Sequence, residues 1–309
     1  MEAMLATGLV EAAAVADPSP EMAAEARKLA PDAQVVDGLD AILAMGLDGV
    51  VIATPSALHA EQSIRALEAG AAVFCQKPLG RDAAEAARVV EAARRADQLL
   101  DVDFSYRHTA GMRAIAELVR SGELGRVFAV DLTFHNAYGP DKPWFYDRAQ
   151  SGGGCVMDLG VHLVDLAMWT LGADAADEVA AQLFAGGAAL SAADQAVEDY
   201  AVAQMRIGGA AVRLACSWRV NAGVDAEIGA TFYGTEGGAS FRNVGGSFYD
   251  FEALRFRGTA RETLAGPPDE WGGRAAADWA RRLSEGARFD PAAEGIVAVS
   301  RVLDRIYAP

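Results

Sequence analysis

Two apolar runs, Gly49-Val50-Val51-Ile52-Ala53 and Ala71-Ala72-Val73-Phe74-Cys75, lie on either side of a helical pattern from about Leu58 to Ala69. Short runs of this kind, rich in β-branched residues and bounded by turn residues, read as strands buried on both faces, and a helix between two of them joins parallel neighbours. This unit constrains the fold more than any other feature, and it extends in both directions. Before it come Val10 to Ala16, closed by Asp17-Pro18, and a helical pattern from Pro20 to Leu29. After it come a helix from about Arg81 to Ala96 and a strand from Leu99 to Phe104. The alternation predicts an α/β, doubly wound parallel sheet with helices on both faces. Ligands of such sheets bind at the carboxyl ends of the strands, so Asp17, Thr54-Pro55 and Gln76-Lys77-Pro78 are expected around one crevice.

Past Phe104 the pattern changes. A helix from about Met112 to Ser121 leads into an alternating run, Val127 to His135, and Tyr200 to Ile207 and Ala210 to Trp218 flank Gly208-Gly209 as a hairpin. Short strands near Thr231 to Tyr233 and Leu254 to Arg257, then helical spacing from Pro291 to Tyr307, complete an α+β domain with a mostly antiparallel open sheet. The division falls near Phe104, giving domains 1–103 and 104–309.

Against that sheet the sequence places GGGCVMDLGVHLVDLAMWTLG, Gly152 to Gly172, which reads as a helix of about four turns, apolar on nearly every side. Asp158, His162 and Asp165 are the exceptions, and their spacings of four and three put them on one face. A carboxylate removed from water needs a partner. The stripe is therefore either a structural ion pair or the polar lining of a cavity. Metal binding is a weaker third reading, because only four histidines are present and no His-x-x-x-His or Cys-x-x-Cys pair accompanies the stripe.

The net charge of −16 argues against nucleic acid and against an anionic membrane surface. Cys75, Cys155 and Cys216 each lie in an apolar run and read as buried thiols of a reducing compartment. The opening MEAMLATGLVEAAAVAD lacks the basic start of a signal peptide, and no apolar run looks long enough to span a bilayer, so a cytoplasmic protein is expected.

Within the crevice, Asp17 suits a carboxylate that accepts both hydroxyls of an adenosine ribose, which would favour NAD over NADP, although an Asp-Pro turn explains it equally. A lysine at position 77, beside a positively charged nicotinamide, could exchange a proton with a substrate hydroxyl, or it could be a solvated loop residue. His59 could simply flank its helix. Arg107, in FSYRHT, could hold a substrate group or form a hinge salt bridge.

Taken together, VIATPSALHAEQSIRALEAGAAVFCQKPLG, DFSYRHT, SGGGCVMDLGVHLVDLAMWTLG, VEDYAVAQM and FYGTEGGASF resemble the glucose-fructose oxidoreductase and inositol dehydrogenase family, Gfo/Idh/MocA, in order and spacing over nearly the whole chain. The resemblance implies a Rossmann domain followed by an α/β domain whose large open sheet makes a homodimer or homotetramer. It also implies hydride transfer between NAD, or NADP, and a carbon of a sugar, cyclitol or polyol. By the same resemblance, Lys77 contacts substrate and nicotinamide, His162 is the general base or acid, and Asp158 orients it. Thr54, Pro55, His59 and Gln76 line the cofactor crevice. Arg107, Asp158 and the segment Phe134 to Asp147, with Asn136 and Trp144, are expected at the substrate.

Two departures stand out. Gln76 replaces the family's usual Glu, removing a charge that would help keep Lys77 protonated. The chain also begins inside what should be the first helix, so the first strand and its Gly-x-Gly-x-x-Gly turn are missing and a gap is expected in the sheet. A start placed too late is the preferred explanation. The alternative is a non-catalytic sugar-binding or scaffold protein that has lost dinucleotide binding.

Overall fold

The computed structural model describes residues 1–191 and 194–308. The chain runs α1 (Glu2–Leu5), β1 (Ala14–Val15), α2 (Pro20–Leu29), β2 (Gln34–Val35), α3 (Gly38–Leu43), β3 (Gly49–Ile52), α4 (Ser56–Glu68), β4 (Ala72–Cys75), α5 (Ala83–Ala96) and β5 (Leu100–Val102). It continues through α6 (Ala110–Arg120), β6 (Val127–Asn136), α7 (Arg148–Ser151), α8 (Val161–Leu171), β7 (Ala176–Ala185), β8 (Ala188–Ala189), β9 (Tyr200–Ile207) and β10 (Ala210–Ser217). It ends with β11 (Ala226–Gly234), β12 (Gly238–Asn243), β13 (Phe251–Arg257), β14 (Ala260–Ala265), α9 (Arg274–Ser284) and α10 (Glu294–Tyr307).

The helices begin where local chemistry starts them. Ser19 caps α2 by accepting from the Met22 amide, with Pro20 in the first turn. Asp82 accepts from the Glu85 amide ahead of α5, and Thr109 from the Met112 amide ahead of α6. Strand β4 is buried at every position and lies between β3 and β5, all parallel.

The expected parallel sheet is present in two pieces. β1 and β2 pair with each other, and β3, β4 and β5 form a separate sheet. Among the described residues no strand lies beside the outer edge of β3, and its Val51 is 47% exposed. A central strand would be needed to join the pieces, which is the gap the sequence predicts. The underside of β3–β5 is covered from far along the chain, since Trp279 of α9 packs with Phe74, Leu99 and Met4.

The second sheet has nine strands in the order β14-β13-β12-β11-β6-β10-β9-β7-β8. All pairs are antiparallel except β6 with β10. The β9–β10 hairpin turns at Gly208 and Gly209, both with positive φ, as a two-residue turn matched to strand twist requires. Helices α6 and α8 cover one face.

The apolar stretch is helical without a break from Cys155 to Leu171, as its sequence predicts, but its first turn is π-helical. After α7 the backbone turns through left-handed Gly152, passes a π-helical turn at Val156–Gly160 and only then becomes α8. The glycines are required by close approach: a Cβ on Gly154 would lie 1.9 Å from the Glu198 carbonyl oxygen, and one on Gly153 would lie 2.0 Å from the Tyr307 hydroxyl. The helical stretch Arg148–Leu171 is long and apolar enough to cross a membrane, which corrects the expectation that no run is; 83% of its most apolar window is buried in the protein. All three cysteines are free and buried.

Candidate active site

The loop at the carboxyl end of β4 meets the π-helical turn, and His59 ties the loop after β3 to that β4 loop. Lys77, just past β4, donates to the Asp158 side chain at 2.6 Å and to its backbone carbonyl at 2.8 Å. The other Asp158 carboxylate oxygen accepts from the Trp218 indole N–H at 3.0 Å. The pair is mostly buried, with side chains 18% and 16% exposed, and it ties the loop after β4 to the π-helical turn. Asp158 therefore holds Lys77. No hydrogen bond joins Asp158 to His162, the residue it was expected to orient: each carboxylate oxygen accepts from another donor.

His162 sits beside this pair, 9% exposed, with its ring edge-on to Tyr106 at 5.0 Å. Its ring nitrogens make no hydrogen bond among the described residues. Burial, reinforced by the nearby Lys77 charge, holds its pKa well below the ordinary 6.5. It is a neutral imidazole at physiological pH, able to take up a proton.

Asp165, the third member of the polar stripe, looks elsewhere. Its carboxylate takes the forked guanidinium of Arg107, with the Nε bond at 2.8 Å, and Arg107 stacks over Phe104 and Trp169. Burial raises the Asp165 carboxyl while Arg107 opposes the rise. Arg107 is thus the hinge salt bridge of its two readings, and the fork is spent within the protein.

The cofactor-side residues divide in the same way. His59 is 1% exposed, with Nδ1 2.6 Å from the Pro78 carbonyl oxygen and Nε2 2.6 Å from that of Thr54. It ties the two crevice loops together from behind, so the expectation that it lines the crevice is corrected: both polar atoms of its ring face backbone carbonyls. Thr54 donates its hydroxyl to Gln62, and Thr54 and Pro55 are half-buried at the loop surface. Gln76 donates to Asp103 at 3.0 Å. A glutamate there would face a second carboxylate, which accounts for the amide in this chain. Asp17 is exposed and accepts from the Ser19 amide at 2.7 Å, forming the Asp-Pro turn of its simpler reading with one oxygen left over.

Around the mouth, Asn136 accepts from the Tyr138 amide and shapes the loop after β6. Trp144 stacks on Phe145, which reaches Trp218. Trp218, Tyr106 and Glu198 were not singled out from the sequence. The Glu198 carboxylate accepts from the amides of Gly154 and Val156 and from the Tyr307 hydroxyl, fixing the start of the π-helical turn. The signal was present in VEDY, an acidic residue ahead of an alternating strand, but a carboxylate that caps a helix about 40 residues earlier in the chain has no local signature.

Residues 1–104 match the oxidoreductase family with an NAD-binding Rossmann fold, and residues 112–240 match the GFO/IDH/MocA C-terminal domain. The chain is 32% identical over 201 residues to 1,5-anhydro-D-fructose reductase of Ensifer adhaerens, covering 64% of this chain and 58% of that protein. It is 35% identical over 135 residues to inositol 2-dehydrogenase 3 of Saccharopolyspora erythraea, covering 43% and 38%. The chain thus spans about half the length of these relatives. Among solved structures, GenD2 from gentamicin A biosynthesis in complex with NAD superposes with a TM-score of 0.79 at 25% identity, covering 99% of this chain and 88% of that one. Levoglucosan dehydrogenase with NADH and levoglucosan shares the fold, with a TM-score of 0.79 at 24% identity over 96% and 87% of the two chains. With both of its domains matched to the one family and its fold shared with these structures, the chain belongs to the GFO/IDH/MocA oxidoreductases.

Proposed function

We propose that this chain works as an NAD(P)-dependent oxidoreductase of a sugar, cyclitol or related polyol, with NAD the preferred cofactor. The observation that carries the reading is the meeting of Lys77, held by Asp158 and Trp218, with a neutral, buried His162 that has no hydrogen-bond partner among the described residues. Relatives named as acting on anhydrofructose and inositol support a polyhydroxylated substrate.

The fit to a dinucleotide is uneven along its length. Thr54, Pro55, Gln76 and Lys77 surround the nicotinamide end of the crevice, and Asp17 keeps one carboxylate oxygen for the hydroxyls of a ribose. Among the described residues no Gly-x-Gly-x-x-Gly turn leads from a strand into a helix, so none of them makes the pyrophosphate cradle of that motif. When bound, the nicotinamide supplies an acceptor or donor of hydride. The chain's own residues do the rest. Lys77 donates a hydrogen bond to the oxygen of the reacting carbon, and Asp158 and Trp218 keep its ammonium in one place. His162 takes the hydroxyl proton in oxidation and returns it in reduction. Asn136 and Trp144 shape the pocket mouth, and Arg107 acts through Asp165 to set the angle of the junction, which we place at 103/104.

The open face of the nine-stranded sheet carries Phe128 and Tyr233, both more than 40% exposed, and the Arg213–Asp131 pair. We take it as the face of a homodimer or homotetramer, in a cytoplasmic protein with no nucleic-acid or membrane partner. Titration with NADH by nicotinamide fluorescence, followed by polyol-dependent reduction of NAD+, tests the proposal. Binding of NADH together with turnover lost in Lys77→Ala and His162→Ala supports it. A chain that binds polyol but no dinucleotide would be a sugar-binding module instead.

A further inference from the structure

Three cations stand near the reacting groups, and two are committed. Lys77 is paired with Asp158 and Arg107 with Asp165. The third, Arg219, directly follows Trp218, the residue that holds Asp158, and it makes no ion pair among the described residues. Of its five N–H groups only one finds a partner among the described residues, donating to the Tyr146 hydroxyl at 2.9 Å.

The chain goes to some length to put the guanidinium there. Arg219 has φ +57°, a left-handed conformation that costs a side-chain-bearing residue about 1 kcal/mol or more and that clusters at functional sites. Across the mouth, Gly139 lets both side chains come close: a Cβ there would lie 2.8 Å from the Arg219 Nε and 2.3 Å from the Tyr146 hydroxyl and would make them shift. Tyr146 in turn donates to the Pro140 carbonyl oxygen and lies under the guanidinium at 5.1 Å. Two loops, the one joining β6 to α7 and the one after β10, are thereby drawn together around an exposed cation whose remaining donors have no partner among the described residues. A loop staple alone would need neither the strained backbone nor the free fork.

We propose that Arg219 is a specificity-determining residue that binds an anionic substituent of the substrate, so that the substrate is an acidic sugar or polyol carrying a carboxylate or a phosphate on a carbon other than the one oxidised. A planar fork of N–H donors matches either group, and a local cation is what an anion needs to enter a chain of net charge −16. The inference rests on the polyol reading of the site and narrows it.

The test is calorimetric titration of the whole chain, with and without NAD+, using D-glucose, D-glucuronate and D-glucose 6-phosphate. The expected result is that at least one acidic probe binds about tenfold more tightly than glucose or better, that Arg219→Gln brings the ratio close to one, and that Arg219→Lys keeps part of it. Whichever acidic probe wins tells carboxylate from phosphate. Equal binding of acidic and neutral probes, or a preference that survives in Arg219→Gln, overturns the inference and leaves the polyol reading standing. Failure of every probe to bind overturns both.

Discussion

The two pieces of the parallel sheet are written in the same kind of sequence, short apolar runs beside helices, and they end in different physical states. In β3–β5 the residues Val73 and Cys75 are fully buried, and α4, α5 and α9 pack around the strands. In the β1–β2 ribbon both strands are two residues long, and Met22, Leu29 and Val35 are each about half exposed. An apolar run becomes core only when neighbours cover its edges and both faces. The piece that carries Lys77 is rigid, whereas the piece that carries Asp17 stands apart from it. The hydride chemistry proposed for Lys77 and the ribose recognition proposed for Asp17 therefore rest on supports packed to unequal degrees.

Hydrogen exchange would break this comparison most directly. Amides of β4 and of the β9–β10 hairpin are expected to exchange orders of magnitude more slowly than those of β1–β2, because local opening of the ribbon exposes little apolar surface. Equal protection would mean that the two pieces behave as one sheet.

On the rigid side, Lys77→Ala and His162→Ala should each lower turnover by about 10²–10⁴-fold with the far-ultraviolet circular dichroism unchanged, since each removes a group proposed to act at the reacting oxygen. Near-normal rates in both would remove the site.

Glu198→Ala should cost about 3 kcal/mol in urea unfolding, as it strands the Gly154 and Val156 amides and the Tyr307 hydroxyl in the interior. A loss below about 1 kcal/mol would show that the glycine turn holds itself.

Gln76→Glu should lose about 1–2 kcal/mol near neutral pH by setting two carboxylates against each other, with the loss shrinking as pH falls and one of them protonates. A pH-independent loss would point to shape instead of charge.

The smallest effect is that of pH through His162. Burial puts its folded pKa below the unfolded 6.5, so as pH drops under 6.5 the unfolded chain binds the proton first. The stability present above that pH is then lost progressively down to the folded pKa. His162→Ala should flatten this slope in urea titrations compared at about pH 7.5 and about pH 5.5.

Much of the fold could be read from local pattern. The buried strands at Gly49 and Ala71, the capped helices α2, α5 and α6, and the Gly208-Gly209 hairpin all come from periodicity and turn chemistry that act over a few residues. Strands β12 and β14 escaped because their sequences, such as Gly238–Asn243, carry weak alternation and take their shape from the strands beside them. The polar stripe was visible as a stripe, with Asp158, His162 and Asp165 at helical spacing, and it was right about which residues leave the apolar pattern.

What the stripe does was decided in three dimensions. Sequence spacing put Asp158 next to His162, but Lys77 and Trp218, 81 and 60 residues away, took both of its oxygens, and Arg107 took Asp165. Local sequence determines which backbone shape each segment prefers and which faces must be covered, because those are short-range sterics and burial. Pairing among charged and hydrogen-bonding side chains is set by whichever partners the closed fold brings within about 3 Å, and that distance exists only once the sheets have packed.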